Sequence, residues 1–124
     1  MKLIAESINI MSKTIGPALR ERNAAPVIDL AKAESAAGAD YLDINIGPGR
    51  KEGDKLMEWA VNTVQAVSHV PLSLDSTNPV AMEAGLKTYK GRALMNSISP
   101  ARFDTELPMV KKYNADMIGL LRGL

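Results

Sequence analysis

The chain has 124 residues, of which 46% are hydrophobic and 23% are charged, and its 15 Lys and Arg residues against 14 Asp and Glu residues give a formal net charge of +1. This length and composition predict one globular domain, residues 1–124, and the balanced charge argues against nucleic acid or an anionic membrane as a partner. The absence of cysteine excludes disulfides, thiolate metal sites and a cysteine nucleophile. Glu6 interrupts the apolar amino-terminal run, so we expect no signal peptide and a cytoplasmic protein.

Short apolar runs alternate with longer amphipathic segments along the whole chain. The runs predict strands at 2–5, 41–44, 71–74, 93–95 and 117–120. The amphipathic segments predict helices at 25–38, 54–69 and 78–89 and a fourth from about residue 104, with Asp54 and Asn78 as caps. Strands that are separated by helices run parallel, so the predicted fold class is α/β with parallel (β/α) repeats.

Two architectures share this order of elements: an open doubly wound sheet, and the amino-terminal half of a TIM (β/α)8 barrel. The open sheet would be complete at this length. However, only four residues follow the fifth strand, too few for the helix that should cover it. We therefore expect the half-barrel, with the sequence stopping after its fifth strand.

Amide and carboxylate side chains lie in or directly after the predicted strands, toward the ends where parallel α/β folds bind ligands. They are Asn9, Asp43, Asn45, Asp75 and Asn96. A carboxylate that accepts two adjacent N–H bonds, together with an amide that both donates and accepts, matches the edge of a flat heterocycle such as a pterin. A Mg²⁺ site at Asp43 and Asp75 is less favoured, and no metal is predicted.

Competing structural interpretations exist for several of these positions. Asp43 lies within an apolar run, so it needs either a hydrogen-bond donor or a ligand, and both possibilities stay open. Asn78 before Pro79 is most simply a helix cap. Gly47-Pro48-Gly49 is first of all a turn, and His69 falls at the opposite, amino-terminal end of its strand.

Four segments, taken in order, resemble the pterin-binding methyltransferase family, in particular its methyltetrahydrofolate:corrinoid/iron-sulfur protein methyltransferase-like members. Each segment alone is weak, but their order at successive strand ends is fairly specific and covers nearly the whole chain. The segments are Glu6-Ser7-Ile8-Asn9, Leu42-Asp43-Ile44-Asn45-Ile46-Gly47-Pro48, Leu74-Asp75-Ser76-Thr77-Asn78 followed by Glu83-Ala84-Gly85-Leu86-Lys87, and Met95-Asn96-Ser97.

The resemblance implies that these residues form the amino-terminal half of a TIM barrel. It implies that Asp75 and Asn96 hydrogen-bond a pterin ring, with Asn9 near the same pocket and Asp43 and Asn45 at the barrel mouth. The implied enzyme of one-carbon metabolism moves a methyl group between N5 of tetrahydrofolate and the cobalt of a corrinoid, such as cobalamin, that a partner protein carries. We expect the half-barrel to be inactive alone and to form a homo-oligomer that protects its exposed edge.

One segment departs from the family pattern. Members commonly have Gly-Glu-Arg-Ile-Asn at the first strand exit, whereas this chain has Ala5-Glu6-Ser7-Ile8-Asn9. The missing arginine removes a planar charged group that could orient Glu6 or a substrate tail, which leaves the methyl donor and the corrinoid partner open. The reaction direction and the catalytic proton donor near N5 are unassigned. Two alternatives stay open: a small open-sheet binding module, and a dihydropteroate-synthase-like pterin enzyme.

Overall fold

The computed structural model describes residues 1–120, in which five strands alternate with helices. A single 3-10 turn, Pro100–Arg102, precedes the last helix. The strands are β1 (Ile4–Asn9), β2 (Tyr41–Asn45), β3 (Leu72–Asp75), β4 (Leu94–Ile98) and β5 (Asp116–Gly119). The α-helices are α1 (Ile15–Glu21), α2 (Ala24–Ala36), α3 (Gly53–Gln65), α4 (Pro79–Thr88) and α5 (Phe103–Lys112). None of these helices is long and apolar enough to cross a membrane.

All five strands are parallel and lie in the sheet in the order in which they occur in the chain, β1-β2-β3-β4-β5. A doubly wound sheet places its first strand inside the sheet and reverses direction from there, whereas β1 lies at an edge here. Right-handed crossovers that always step in the same direction place every helix on the same face. The topology is that of a half-barrel, which confirms the predicted fold class and excludes the doubly wound alternative.

The predicted helices are present with small shifts at their ends. Asn78 caps α4 as predicted, since its side-chain oxygen accepts the backbone N–H of Val80 at 3.0 Å. The prediction of Asp54 as a cap is wrong: α3 begins one residue earlier, its cap position is Glu52 in a left-handed conformation, and Asp54 lies in the first turn. The sequence reading also missed α1, which is only seven residues long and contains a proline.

The strands begin close to their predicted starts, but β1 extends to Asn9. Glu6 and Ser7, predicted to follow the strand, therefore lie within it, at an irregularity in the pairing with β2. The last four residues of the chain, on which the argument for an uncovered fifth strand rested, lie outside the described residues.

The hydrophobic core lies between the sheet and the helices. Alternation along the strands sends one set of side chains to this core and the other set to the opposite face of the sheet. On β2 and β3 the core set is fully buried, and the same is true of the inward faces of α3 and α4. These core residues are Leu42, Ile44, Leu72, Leu74, Met57, Ala60, Val61, Val64, Ala81 and Met82.

Gly85 allows α4 to pack closely against α3 and β3. A Cβ atom at this position would lie 2.8 Å from Cγ of Met57 and 2.9 Å from Cδ1 of Leu74. Both neighbours are completely buried, so neither side chain has open space into which it can move. A glycine is therefore required here for close packing rather than for an unusual backbone angle.

We predict that Gly85→Ala destabilises the protein by about 1–3 kcal/mol, because overpacking outweighs the roughly 1 kcal/mol that alanine gains in a helix. Urea unfolding followed by circular dichroism measures the change. Gly119→Ala is the control, since its Cβ atom would meet only the end of Met117 at 3.6 Å. Equal stability of Gly85→Ala and the parent protein would show that α4 can move away without cost.

Candidate functional site

Four polar residues form one row across the carboxyl ends of β1 to β4. Strand register pairs Asn9 with Asn45, Asn45 with Asp75, and Asp75 with Asn96. Because paired residues in neighbouring strands project to the same face of a sheet, these four side chains belong to a single surface. The register therefore brings together residues that are up to 87 positions apart in the sequence, from Asn9 to Asn96.

Asp43 lies one layer below this row and is 1% exposed. Its Oδ1 accepts hydrogen bonds from Oγ of Ser73 at 2.6 Å and from Nδ2 of Asn96 at 3.2 Å. Burial raises the pKa of the Asp43 carboxyl, whereas the hydrogen bonds from Ser73, Asp75 and Asn96 oppose that rise and nearby Glu6 adds to it. The sequence left open whether a hydrogen-bond donor or a ligand compensates Asp43, and the structure shows two protein donors, Ser73 and Asn96.

Asp75 is half-buried, and its carboxyl lies close enough to that of Asp43 for the two charges to interact. Its Oδ2 accepts a hydrogen bond from Nδ2 of Asn45 at 3.3 Å. Burial first, then the negative charge of Asp43 and a hydrogen bond to its carboxyl, and finally Glu6, raise the pKa of Asp75 to about 7. A carboxyl with a pKa of about 7 is protonated in part of the molecules near neutral pH, and in that form Asp75 can donate a hydrogen bond to Asp43.

Two of the asparagines use their amide oxygens to shape the loops that leave the strands. Oδ1 of Asn9 accepts the N–H of Met11, and Oδ1 of Asn45 accepts the N–H of Gly47, both at 2.8 Å. The amide nitrogen of Asn45 donates a hydrogen bond to Asp75, so in this structure Asn45 orients another site residue. Asn96 differs, because its oxygen has no hydrogen-bond partner among residues 1–120.

The loop after β2 is held against the loop after β3. Gly47 and Gly49 have φ angles of 69° and 54°, which confirms the predicted turn and explains the glycines. The carbonyl oxygen of Gly47 accepts Oγ of Ser76 at 2.7 Å, and that of Gly49 accepts Nδ2 of Asn78 at 2.9 Å. Asn78 thus has a second role beyond capping α4: it holds the loop after β2 against the loop after β3.

The first strand exit leaves an open depression beside the row. It has a volume of about 390 Å³ and is lined by Glu6, Ser7, Asn9, Met11 and Ser12. His69 lies in a different surface hollow with Tyr89 and Lys90, before β3 and therefore at the other end of the strands. No cluster of three or more His, Cys, Asp or Glu side chains suited to a metal ion occurs in the part of the chain that the structure describes.

Sequence reasoning missed the contribution of Ser73. This buried hydroxyl makes the shortest hydrogen bond to Asp43, and it lies two residues before Asp75 on β3. Two polar residues with period two inside an otherwise apolar strand indicate a polar face. That spacing could have identified Ser73, whereas the role of Glu6 as a second negative charge depends on the bulged pairing of β1 and could not be predicted.

We predict that the stability of the protein falls as pH rises from about 4 through about 7. The folded state raises the pKa of Asp75 from 3.8 to about 7, so it binds a proton more tightly than the unfolded chain does over this interval. The effect is on the order of 1 kcal/mol after allowance for solvent at a half-buried carboxyl. Urea unfolding at pH 5 and pH 8 measures it.

In Asp75→Asn, which cannot ionise and whose amide can still donate to Asp43, most of this pH dependence should disappear. Asp29→Asn, on the exposed face of α2, is the control and should retain the parent behaviour. Identical pH profiles for Asp75→Asn and the parent protein would show that Asp75 ionises normally.

Comparison with known proteins agrees with this architecture. Residues 8–120 match the family model described as "Pterin binding enzyme". The chain is also 30% identical over 111 residues to a methylcorrinoid:tetrahydrofolate methyltransferase of Eubacterium limosum, a match that covers 88% of this chain. This chain spans 41% of the length of that curated relative. With a family model matched over most of its length and with the parallel half-barrel topology, the chain belongs to the pterin-binding enzyme family.

Proposed function

We propose that this chain supplies the pterin-contacting half of a methyltransferase that moves a methyl group between N5 of tetrahydrofolate and the cobalt of a protein-bound corrinoid. The observation that carries the proposal is the row of Asn9, Asn45, Asp75 and Asn96 at the carboxyl ends of four strands, above the buried Asp43. Membership of the pterin-binding family and similarity to a relative whose name states this reaction support it.

The row has the donors and acceptors that the edge of a pterin requires. The Asp75 carboxyl can accept adjacent N–H groups of the heterocycle, and its negative form is then stabilised by ligand donors. Asn96 offers an amide oxygen that has no partner among residues 1–120, while its nitrogen is held by Asp43. In this proposal Asp75 and Asn96 contact the pterin, Asn9 lies at the edge of the pocket, and Asp43 and Asn45 hold the two contact residues in place.

The contribution of these residues to the reaction is orientation. The corrinoid, carried by a partner protein, supplies cobalt as the methyl donor or acceptor, so the chain needs no nucleophilic side chain of its own. Fixing the pterin plane directs N5 toward the incoming partner and replaces a random encounter with a positioned one. The open depression beside Asn9 leaves this side of the row accessible. No residue of this chain is assigned as the proton donor to N5. The direction of methyl transfer is also left unassigned.

A dihydropteroate-synthase-like pterin enzyme is the second candidate. It shares the pterin contacts and differs in needing a site for a diphosphate ester. The named activity of the Eubacterium limosum relative favours the methyltransferase. Preference for a pterin diphosphate ester over 5-methyltetrahydrofolate in a competition titration would reverse this order. Cytoplasmic location, assembly into a homo-oligomer and inactivity of this chain by itself stay predictions, and sedimentation velocity tests the second of them.

We predict that Asp75→Ala weakens binding of 5-methyltetrahydrofolate by about 1.5–3 kcal/mol, roughly 10- to 150-fold in Kd, because a charge-assisted hydrogen bond is lost. Isothermal titration calorimetry of the parent and variant proteins measures the difference. The control is Asp29→Ala, which removes an exposed carboxylate from α2 and should bind as the parent does. Unchanged affinity in Asp75→Ala would remove this residue from the site, and a parent protein that does not bind folate would overturn the proposal itself.

A further inference from the structure

Glu106 is a completely buried carboxylate that takes no part in the row of Asn9, Asn45, Asp75 and Asn96, called the pterin row below. It lies in the first turn of α5 and is 0% exposed. Burial of a charged group is costly unless the charge is paired, so its partner is informative. Nε of Arg102 donates to Oε1 of Glu106 at 2.9 Å, and the other carboxylate oxygen has no partner among residues 1–120.

The same arginine also binds the backbone immediately after Asn96. Nη2 of Arg102 donates to the carbonyl oxygen of Ser97 at 2.8 Å. The planar guanidinium is therefore fixed at two points, by Glu106 on one side and by the strand on the other. A lysine, with a single flexible ammonium group, cannot reproduce this fork.

Ser97 is the residue at which β4 departs from regular pairing. Asn96 is opposite Ile118 on β5 and Ile98 is opposite Gly119, so Ser97 is an extra residue in the strand. Bulges of this kind bend a strand and change the direction of the side chains next to them. The carbonyl that Arg102 holds thus belongs to the bulge that adjoins Asn96.

We propose that Arg102 and Glu106 form a positioning pair that holds the Ser97 bulge and thereby sets the orientation of the Asn96 side chain in the pterin row. The connection runs from the buried carboxylate through the guanidinium to the Ser97 carbonyl, and from the adjoining Asn96 amide to Asp43. The consequence for ligand binding rests on the proposed function, whereas the consequence for Asn96 itself does not.

A purely structural role is the competing explanation, in which the ion pair only anchors the start of α5. The two roles differ in which property of the protein a substitution changes. An anchor affects stability and leaves the Asn96 amide unchanged, whereas a positioning pair acts on that amide even in the folded, ligand-free protein. The effect of a positioning pair on ligand affinity also requires Asn96 to be present.

The test is Arg102→Lys, with Arg92→Lys as a matched control. Nη2 of Arg92 donates to Oδ1 of Asp116 at 2.8 Å in an exposed ion pair at the other end of β4. In ¹⁵N–¹H spectra of the ligand-free protein, the side-chain amide signals of Asn96 should shift in Arg102→Lys and stay in place in Arg92→Lys. Unmoved Asn96 signals in Arg102→Lys would overturn the proposal.

Calorimetry then tests the consequence for the ligand. We expect Arg102→Lys to weaken 5-methyltetrahydrofolate binding roughly tenfold, and to have less than about a twofold effect when Asn96 is already alanine. If Arg102→Lys weakens binding equally with Asn96 present and with Asn96 replaced by alanine, only the anchoring role is left. If Arg102→Lys does not fold, Glu106→Gln, which keeps an oxygen acceptor for Arg102, replaces it under the same criteria. A parent protein that fails to bind folate contradicts the proposed function, while the Asn96 signals still decide the role of the pair.

Discussion

The buried carboxylate of Asp43 is the constraint on which the candidate site depends. An ionised carboxyl with 1% exposure needs compensating donors, and it finds them in Ser73 and Asn96 on the two following strands. Asp75 can act as a third donor to Asp43 only while it holds a proton. The protonation of Asp75 and the direction of the Asn96 amide are therefore both coupled to the same buried group, one layer below the surface that a ligand would meet.

The order of the strands makes this coupling possible. Because each parallel strand lies beside its predecessor, the residues that end β1 to β4 form a continuous row. The core between the strands and the helices fixes the strand positions, and Gly85 lets α4 approach closely enough to complete that packing. The polar face can consequently hold charged and amide groups, since the opposite face supplies the hydrophobic stabilisation.

Much of the fold and part of the site could be predicted from the sequence. Asn78-Pro79 located the start of α4, and the polar residues after the apolar runs identified all four members of the row. The short helix α1 was missed because seven residues carry too little periodicity. The strand order could not be chosen from composition alone, since both α/β architectures share one pattern of elements.

Interactions that depend on burial were beyond prediction for a different reason. Arg102 and Glu106 are four residues apart, a spacing that on most helices indicates an exposed pair of little energetic value. Only the packing of α5 against β4 shows that Glu106 is buried and that Arg102 reaches the Ser97 carbonyl. The charge of Glu6 near Asp75 likewise depends on an irregular strand pairing that no local sequence signal specifies.

We propose that burial beside Asp43 keeps the Asp75 carboxyl partly protonated near neutral pH, and that this carboxyl contacts the pterin. The most direct measurement is a pH titration of the Asp75 carboxyl by ¹³C NMR, without and with saturating 5-methyltetrahydrofolate. We predict titration near pH 7 in the free protein and at lower pH in the complex, because N–H donors of the ligand favour the ionised carboxyl. Titration near pH 4 in the free protein, unchanged by the ligand, would contradict it.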